Sequence, residues 1–463
     1  MSNHKNMKTR KVLLFNLSGL DHQNCANFRK TTRFTLCIWL SFILALVTAC
    51  TPAVMPSQNA TPGPDDSAAP TALPTFTPAP EPAQGMLYVD PGQNLGPINP
   101  LVYGSNYGPW LFVTLEMRPQ AVAAGITYLR FPGGNWGDLN DLDEWQIDQY
   151  IALCKELGSE PAISVRLRDG TPEKAAGLVQ LVNQTRQYNV RYWSIGNEPS
   201  LFPDYDTARY NQEWRQFAQA MRAVDPTILL VGPDTHQIYT DPAKNPKDSA
   251  GKDWLEEFLK ANGDLVDIVS VHRYPFPQDR SDPSPKIADL RQNSREWDAI
   301  IPFLQTLVRQ HTGRDLPLAI TEVNSSWAAN SGGEGTMDSH YNAIWWADAL
   351  ARMIRQGVDI VAQFALVGEF GLMGKYKVYP IYYVYPMFQQ MGTELLYASS
   401  DNPDLTVLAS RRPDGKVALM VINLSTENVA YPLLIEGLNA AVEAEVWRFD
   451  LSHNAEQDAS QSI

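Results

Sequence analysis

The sequence predicts an α/β fold: a (β/α)8 barrel of the TIM type with a small antiparallel β-sandwich appended. Three observations predict it. Eight short apolar segments alternate with helical patterns from residue 101 to residue 365, which implies parallel strands joined by helical crossovers. The first of these segments ends in Tyr103-Gly104-Ser105-Asn106 rather than a glycine-rich nucleotide turn, which favours a closed barrel over an open doubly wound sheet. After Tyr385 the helical patterns stop, and strand-like runs alternate with Asp-Gly and Asn-rich turns.

Taken in order, residues 86–89 read as a short strand before Gly96-Pro97-Ile98-Asn99-Pro100. The eight barrel strands are then expected at 101–106, 127–131, 162–167, 192–196, 228–231, 268–272, 318–321 and 360–365. Amphipathic patterns between them cover 119–124, 147–157, 175–186, 207–224, 253–262, 286–312 and 338–356. Sandwich strands are expected at 406–410, 417–424 and 443–449, with the last strand of such a domain missing or frayed. The domain division is therefore 86–385 for the barrel and 386–463 for the sandwich, with 86–97 able to join the latter.

The N-terminal region reads as targeting sequence. Residues 34–49 are an apolar run preceded by Arg29, Lys30 and Arg33, short for a membrane span and suited to a signal peptide. Val47-Thr48-Ala49-Cys50 resembles a bacterial lipoprotein cleavage box, which implies removal of residues 1–49 and lipidation of Cys50. Leucine is usual where Val47 stands, and the long basic region ahead of the apolar run leaves a start at Met7 or later open. Residues 50–85 are rich in Pro, Ala and Thr with almost nothing to bury, the composition of an extended, disordered stalk. A lipid-anchored, exported domain at a cell surface follows, touching membrane only through Cys50.

Composition excludes several classes. The net charge of −14 argues against a nucleic-acid partner. Three of the four cysteines stand at or before position 50, so Cys154 has no partner for a disulfide in the globular part. No zinc-type or P-loop spacing occurs, and neither a metal nor a cofactor is expected.

The strand ends carry the chemistry, since a TIM barrel builds its site from the C-terminal ends of its strands. Glu198 ends the fourth strand and Glu322 the seventh, so both carboxyl groups face one rim. Two carboxyl groups in differing surroundings can divide acid and nucleophile roles, as in glycoside hydrolysis. The competing possibility is a strand-end glutamate bonded to its own loop.

Here the chain resembles a known group. Trp193-Ser194-Ile195-Gly196-Asn197-Glu198-Pro199 is similar to the acid/base strand of the clan A glycoside hydrolases, and Ala319-Ile320-Thr321-Glu322-Val323-Asn324 to their nucleophile strand. Leu129-Arg130-Phe131-Pro132-Gly133-Gly134-Asn135 and Ile98-Asn99-Pro100-Leu101-Val102-Tyr103-Gly104 resemble the opening of families 51, 44, 39 and 79, which include arabinofuranosidases, endoglucanases, xylosidases and glucuronidases. The resemblance spans about residues 86–450 and implies a retaining glycosidase acting on a carbohydrate. By it, Glu198 is the general acid/base, Glu322 the nucleophile, and Asn197 a partner of the sugar 2-hydroxyl. Arg130 holds Glu322 ionised, and Tyr274 donates to it. Asn135, His272 and Gln363 are supporting candidates; His272 reads equally as a satisfied core residue, and Arg130 as one end of a structural salt bridge. Trp136, Trp327, Trp110 and Phe276 are candidates for stacking on sugar faces, with loop packing as the alternative. Asn183, Asp234 and Asp138 stand near strands or rim loops without an assigned role, and the polar loop 324–337 reads as a mobile cover. A non-catalytic carbohydrate-binding protein on a degenerate barrel, and an inverting hydrolase, are the competing readings.

Overall fold

The computed structural model describes residues 83–277, 284–328 and 331–463, together with the backbone of a strand at residues 12–17. The apolar run 34–49, Cys50 and residues 51–82 lie outside the described residues. Strands β1 (Val12–Leu17) and β2 (Leu87–Pro97) precede a closed barrel. The barrel comprises β3 (Gly104–Asn106), β4 (Tyr128–Phe131), β5 (Glu160–Val165), β6 (Tyr192–Ile195), β7 (Leu229–Thr235), β8 (Ile268–Arg273), β9 (Leu318–Val323) and β10 (Ile360–Gln363), paired in parallel in that order with β10 returning to β3.

The period-two pattern of each strand sorts its side chains between two cores. In β4, Leu129 and Phe131 point to the helical belt, while Tyr128 joins an interior layer with Leu101, Ala162, Tyr192, Val231, Ile268, Ala319, Ile360 and Ala362. Tyr128 and Tyr192 meet edge to face across that layer, with ring centroids 5.7 Å apart. This apolar floor closes the strand-entry end. Towards the strand exits the buried interior turns polar: Asn106, Arg130, Ser194, Asp234, Ser270, His272, Thr321 and Glu322. Buried polar groups need partners, and those partners turn out to be each other.

Of the barrel strands, the first and the eighth are shortened most relative to the sequence pattern. Pro100 fits the first position of a helical turn, and the Asn99 side chain accepts the Leu101 N–H at 3.0 Å, so Pro100–Val102 is a 3-10 turn and β3 begins at Gly104. The eighth strand stops at Gln363. Five of the described helices start on side-chain caps, from Asp143, Thr171, Asp206, Asp253 and Ser339, and Asp143 and Gln146 form a reciprocal capping box at the head of Glu144–Leu157.

The second layer is one sheet in the order β14-β2-β11-β12-β13-β1-β15-β16, with β17 on the far part of β15. Its remaining strands are β11 (Glu394–Ser400), β12 (Leu405–Arg411), β13 (Val417–Asn423), β14 (Leu433–Ile435), β15 (Glu443–Asp450), β16 (His453–Gln457) and β17 (Gln461–Ser462). Residues 87–97 belong to this sheet through pairing with β11. Pairing is antiparallel except between β14 and β2. Strands β11, β14, β16 and β17 carry no strong alternation and escape a sequence reading, and β16 and β17 continue the chain beyond the point where fraying is expected. One face, with Val407 and Leu419, closes its own core; the other, with Leu408 and Met420, packs into the barrel core. Helix His340–Arg355 is buried almost throughout between them, and its Tyr341 donates to Leu424 O at 2.6 Å. Among the described residues no helix is long and apolar enough to cross a membrane.

Strand β3 sits so close to its neighbours that Gly104 has no room for a side chain: a Cβ there would stand 2.5 Å from Val361 O and 3.0 Å from Tyr128 O. Both obstacles are backbone. Gly104→Ala should therefore lower stability by roughly 1–3 kcal/mol, the usual cost of overpacking, read as a lower urea midpoint at unchanged slope.

Candidate active site

Arg130 is the hub of the polar layer. It is 1 % exposed and reaches four strand ends. Its Nη1 donates to Glu322 Oε1 at 2.7 Å and to Asn106 Oδ1 at 3.1 Å; its Nη2 donates to Asn197 Oδ1 at 2.9 Å and to Asp234 Oδ2 at 3.1 Å. Burial opposes the guanidinium charge, and the carboxylates of Asp234 and Glu322 more than restore it. Asp234 is held in turn by Thr321 Oγ1 at 2.5 Å and, through its backbone N–H, by Ser270 Oγ at 3.1 Å. Burial alone would raise its pKa, but Arg130, His272, Ser270 and Thr321 together keep it below the ordinary carboxylate value.

Backbone irregularities aim the carboxylates. Strand β9 carries one extra residue relative to both neighbours: Ile320 pairs with Val271 and Val361, whereas Glu322 pairs with His272 and Val323 with Gln363. Such a bulge turns successive side chains to the same side. Thr321 bonds Asp234 and Glu322 bonds Arg130, so both face the barrel axis. Strand β7 has a similar extra residue at Asp234, whose φ is 55°. Glu198, directly after β6, has φ 46°, and its N–H donates to Asp234 O at 3.1 Å. Non-glycine residues with positive φ are uncommon and concentrate at functional sites.

Glu322 is saturated with donors. Besides Arg130, the Gly134 N–H donates to Oε1 at 2.8 Å, and the Tyr274 hydroxyl donates to Oε2 at 2.8 Å. Burial and the nearby Glu322 and Glu198 charges push the Tyr274 phenol well above its ordinary pKa, so it stays a donor. Glu198 has the opposite surroundings: Oε1 lies 2.9 Å from His272 Nδ1, and its other oxygen meets no protein donor among the described residues. His272 is fully buried, which disfavours its charged form, yet Glu322, Glu198 and Asp234 outweigh burial and raise its pKa.

Glu198, His272 and Glu322 offer ligand atoms within 4.8 Å of one another, close enough to face one cation. The donor set speaks against that use, because Glu322 already accepts three hydrogen bonds and lies against the Arg130 guanidinium.

These groups open into a cavity of about 530 Å³ lined by Gly134, Asn135, Glu198, His236, Gln237, Tyr274 and Glu322 on its polar side, and by Leu201, Tyr239, Trp327, Phe364 and Phe370 on its apolar side. Asn197 lies behind the lining, 2 % exposed, with Nδ2 donating to Asn135 Oδ1 at 3.0 Å. Trp327 reaches the cavity wall; Trp136 and Phe276 do not, and Trp110 leans on Phe364 from outside, at 5.9 Å between centroids. Gln363 is buried and donates to the carbonyls of Phe364 and Phe370, so it props the loop that carries two wall residues. Asn183 lies elsewhere, tying Val190 to Asp225. The described parts of loop 324–337 are pinned, with Asn324 donating to Phe364 O and Trp327 N–H to Phe276 O. Strand-end position alone would have flagged Asn106 and Asp234 as site residues. His236, Gln237 and Phe370 carry no sequence signal, since they depend on loop conformation.

Asp138 is the one unsatisfied carboxyl beside this cluster. It is 3 % exposed, and neither oxygen has a hydrogen-bond partner. Burial pushes its pKa up to about 8, with the Arg130 charge pulling back only in part.

No family model matches the chain. In sequence it is similar to the alpha-L-arabinofuranosidase C of Emericella nidulans, 24% identical over 269 residues, which are 43% of this chain and 51% of that protein. The chain thus spans about half the length of the curated relatives it matches. In structure it is similar to the alpha-L-arabinofuranosidase of Thermotoga maritima, with a TM-score of 0.63 at 19% identity, covering 82% of this chain and 95% of that one. It is equally similar to a Paenibacillus polymyxa xyloglucanase of glycoside hydrolase family 44, with a TM-score of 0.63 at 15% identity over 81% of this chain and 95% of that one. The chain resembles families 51 and 44 of the clan A glycoside hydrolases and has their barrel fold with a β-sheet domain.

The folded pKa of Asp138 lies above its unfolded value of about 3.9, so the folded state keeps a proton that the unfolded state has lost. Stability from this group is therefore full below about pH 4 and declines until the folded pKa of about 8 is passed. In Asp138→Asn that decline should shrink, raising the melting temperature near pH 8 more than near pH 4. Superimposable pH–stability curves for variant and wild type would remove Asp138 as its source.

Proposed function

We propose that this protein is a retaining glycoside hydrolase in which Glu322 is the nucleophile and Glu198 the general acid/base. The contrast in their surroundings carries the reading. Glu322, beside the Arg130 cation and under three donors, is held in an orientation suited to attack an anomeric carbon. Glu198 keeps an oxygen free of protein donors, suited to hold a proton towards a leaving group. Their nearest ligand atoms, within 4.8 Å, support the short carboxyl separation of retaining enzymes over the wide gap that admits a water in inverting ones.

In the first step the Glu322 carboxylate forms an ester bond to the anomeric carbon as the glycosidic C–O bond breaks. Glu198 gives its proton to the departing oxygen, which leaves as an alcohol. In the second step Glu198, now a carboxylate, takes a proton from water as that water attacks the same carbon and releases Glu322. Two inversions retain the configuration. Tyr274 and the Gly134 N–H hold the Glu322 oxygens in place, and Asn197, fixed between Arg130 and Asn135, sets the backbone that presents Glu198. Arabinofuranosides are the first substrates to try, on the names of the relatives, with xylan- and glucan-type chains next.

We also propose that the chain is exported and lipidated at Cys50, on the sequence pattern alone. A chain cut before Cys50 no longer contains β1, so cleavage and the pairing of residues 12–17 between β13 and β15 exclude each other in one molecule. Intact-mass measurement on membrane-extracted protein should find an acylated N-terminus at Cys50; a mass that includes residues 12–17 would overturn the anchor.

Glu322→Ala should lower kcat/KM on every glycoside by on the order of 10⁴-fold or more. Glu198→Ala should cost about 10²–10⁴-fold on natural glycosides and much less on aryl glycosides with good leaving groups, with proton NMR showing the retained anomer first in the wild type. Wild-type rates in both variants would rule out the assignment.

A further inference from the structure

Folding does not account for the apolar surface on the barrel rim. Among the described residues five large aromatic side chains are exposed: Trp110 (38 %), Phe112 (50 %), Trp145 (57 %), Trp327 (43 %) and Tyr376 (68 %). Every one follows the exit of a barrel strand. Trp110 and Phe112 follow β3, Trp145 stands in the first turn of the helix after β4, Trp327 follows β9 and Tyr376 follows β10. Apart from Trp145 at the rim-side start of its helix, the outer helices expose none among the described residues, and neither does the sheet domain. Exposed aromatics scattered by chance would not favour one end of the barrel, and concentrated apolar surface on a soluble domain marks a binding site.

The surface is continuous with the cavity. Phe364 lines the cavity wall and packs on Phe370 at 5.8 Å. Trp110 rests on the outer side of Phe364 at 5.9 Å, and Phe112, two residues further, meets Trp145 edge to face at 6.0 Å. Leu115 and Leu139, on the same two rim segments, are exposed as well. Flat aromatic faces suit the C–H faces of sugar rings, and a row of them leading away from two carboxylates suits successive sugars of one chain.

We propose that Trp110, Phe112 and Trp145 form a binding surface outside the cavity for a polysaccharide chain, which holds polymer while one of its glycosidic bonds lies between Glu198 and Glu322. The link to turnover rests on the glycosidase reading above; the binding itself does not. Phe112 and Trp145 touch none of the reacting groups, so their loss leaves small substrates unaffected.

The test uses Phe112→Ser, Trp145→Ser and the double variant in the full chain, with Trp145→Tyr as the conservative control. Native gels containing soluble arabinoxylan, linear arabinan or xyloglucan read binding; kinetics on the same polymers and on nitrophenyl glycosides read turnover. On the polymer that retards the wild type, the double variant should bind roughly tenfold more weakly and show a matching rise in KM at similar kcat. Trp145→Tyr should keep most of the retardation, and nitrophenyl glycoside kinetics should not change. Equal polymer binding and KM in wild type and double variant would overturn the surface while leaving the glycosidase reading intact. So would a wild type retarded by none of the polymers, or a wild-type dimer that the substitutions dissociate, which would assign the surface to a second copy of the chain. Retardation lost in the variants of a wild type that hydrolyses nothing would keep the surface and overturn the glycosidase reading.

Discussion

The polar half of the barrel depends on one buried charge. A guanidinium away from water is costly unless its charge is matched and its N–H groups find acceptors, and Arg130 finds a counter-charge and acceptors for both terminal nitrogens only when the ends of four other strands converge on it, its buried Nε remaining without a partner among the described residues. Asn106, Asn197, Asp234 and Glu322 come from the first, fourth, fifth and seventh barrel strands. The same bonds that settle the cation therefore fix the relative heights of those strands at the rim. Placing the cofacial carboxylates and closing the barrel are, in this chain, one problem with one solution. It also explains why a single arginine faces two carboxylates: Asp234 balances charge out of reach of the cavity, so Glu322 can be both paired and presented.

Regular strands would not have delivered that geometry. A period of two sends Thr321 and Glu322 to opposite faces, and only the extra residue in β9 lets the first bond Asp234 while the second bonds Arg130. The left-handed backbone at Glu198 does a related job after β6. It is supported on both sides: Gly196 takes φ 78° where a Cβ would strike Leu167 at 2.9 Å, and Pro199 starts the 3-10 turn that follows. The strained conformation is held from outside by the Asp234 carbonyl, which accepts the Glu198 N–H. Strain at Glu198 is thus tied to the same aspartate that balances Arg130.

This division separates what was legible in the sequence from what was not. Strand ends are legible, because a buried apolar run that stops at a polar residue has a physical cause and a position in the barrel. That rule finds Glu198 and Glu322 and, applied evenly, also reaches Asn106 and Asp234, whereas the family resemblance supplies Asn197, Arg130 and Tyr274. Direction within the rim is not legible. Gln363 ends the eighth strand yet turns its amide onto the Phe364 and Phe370 carbonyls, and Trp136 stands beside Asn135 without reaching the cavity. Both outcomes depend on a few backbone angles beyond the last paired residue. The sheet domain shows the same limit: β12 and β13 are buried runs bounded by turns and can be read, whereas β11, β14 and β16 are specified by their neighbours.

The two sides of the cavity make different demands on a ligand, and together they narrow its chemistry. The polar side offers carboxylates, amides, an imidazole and a phenol, which suits a ligand with hydroxyl groups and no net charge, since added anions would meet Glu198 and Glu322. His236 fits that picture: burial lowers its pKa despite the nearby Glu198, so it faces the cavity as a neutral imidazole, bonded to Ser200 through Nδ1 at 2.7 Å. The apolar side is made of rings and Leu201, which suits flat hydrocarbon faces. A molecule that is hydroxylated at its edges and apolar on its faces satisfies both, and a sugar is such a molecule. A charged metabolite would leave the aromatic wall unused, and a lipid would strand the polar side without partners. The wall aromatics continue outwards through Phe364 to Trp110, whereas Glu198 and Glu322 face the cavity alone. The aromatic surface therefore extends along the rim beyond the reach of the two carboxyl groups.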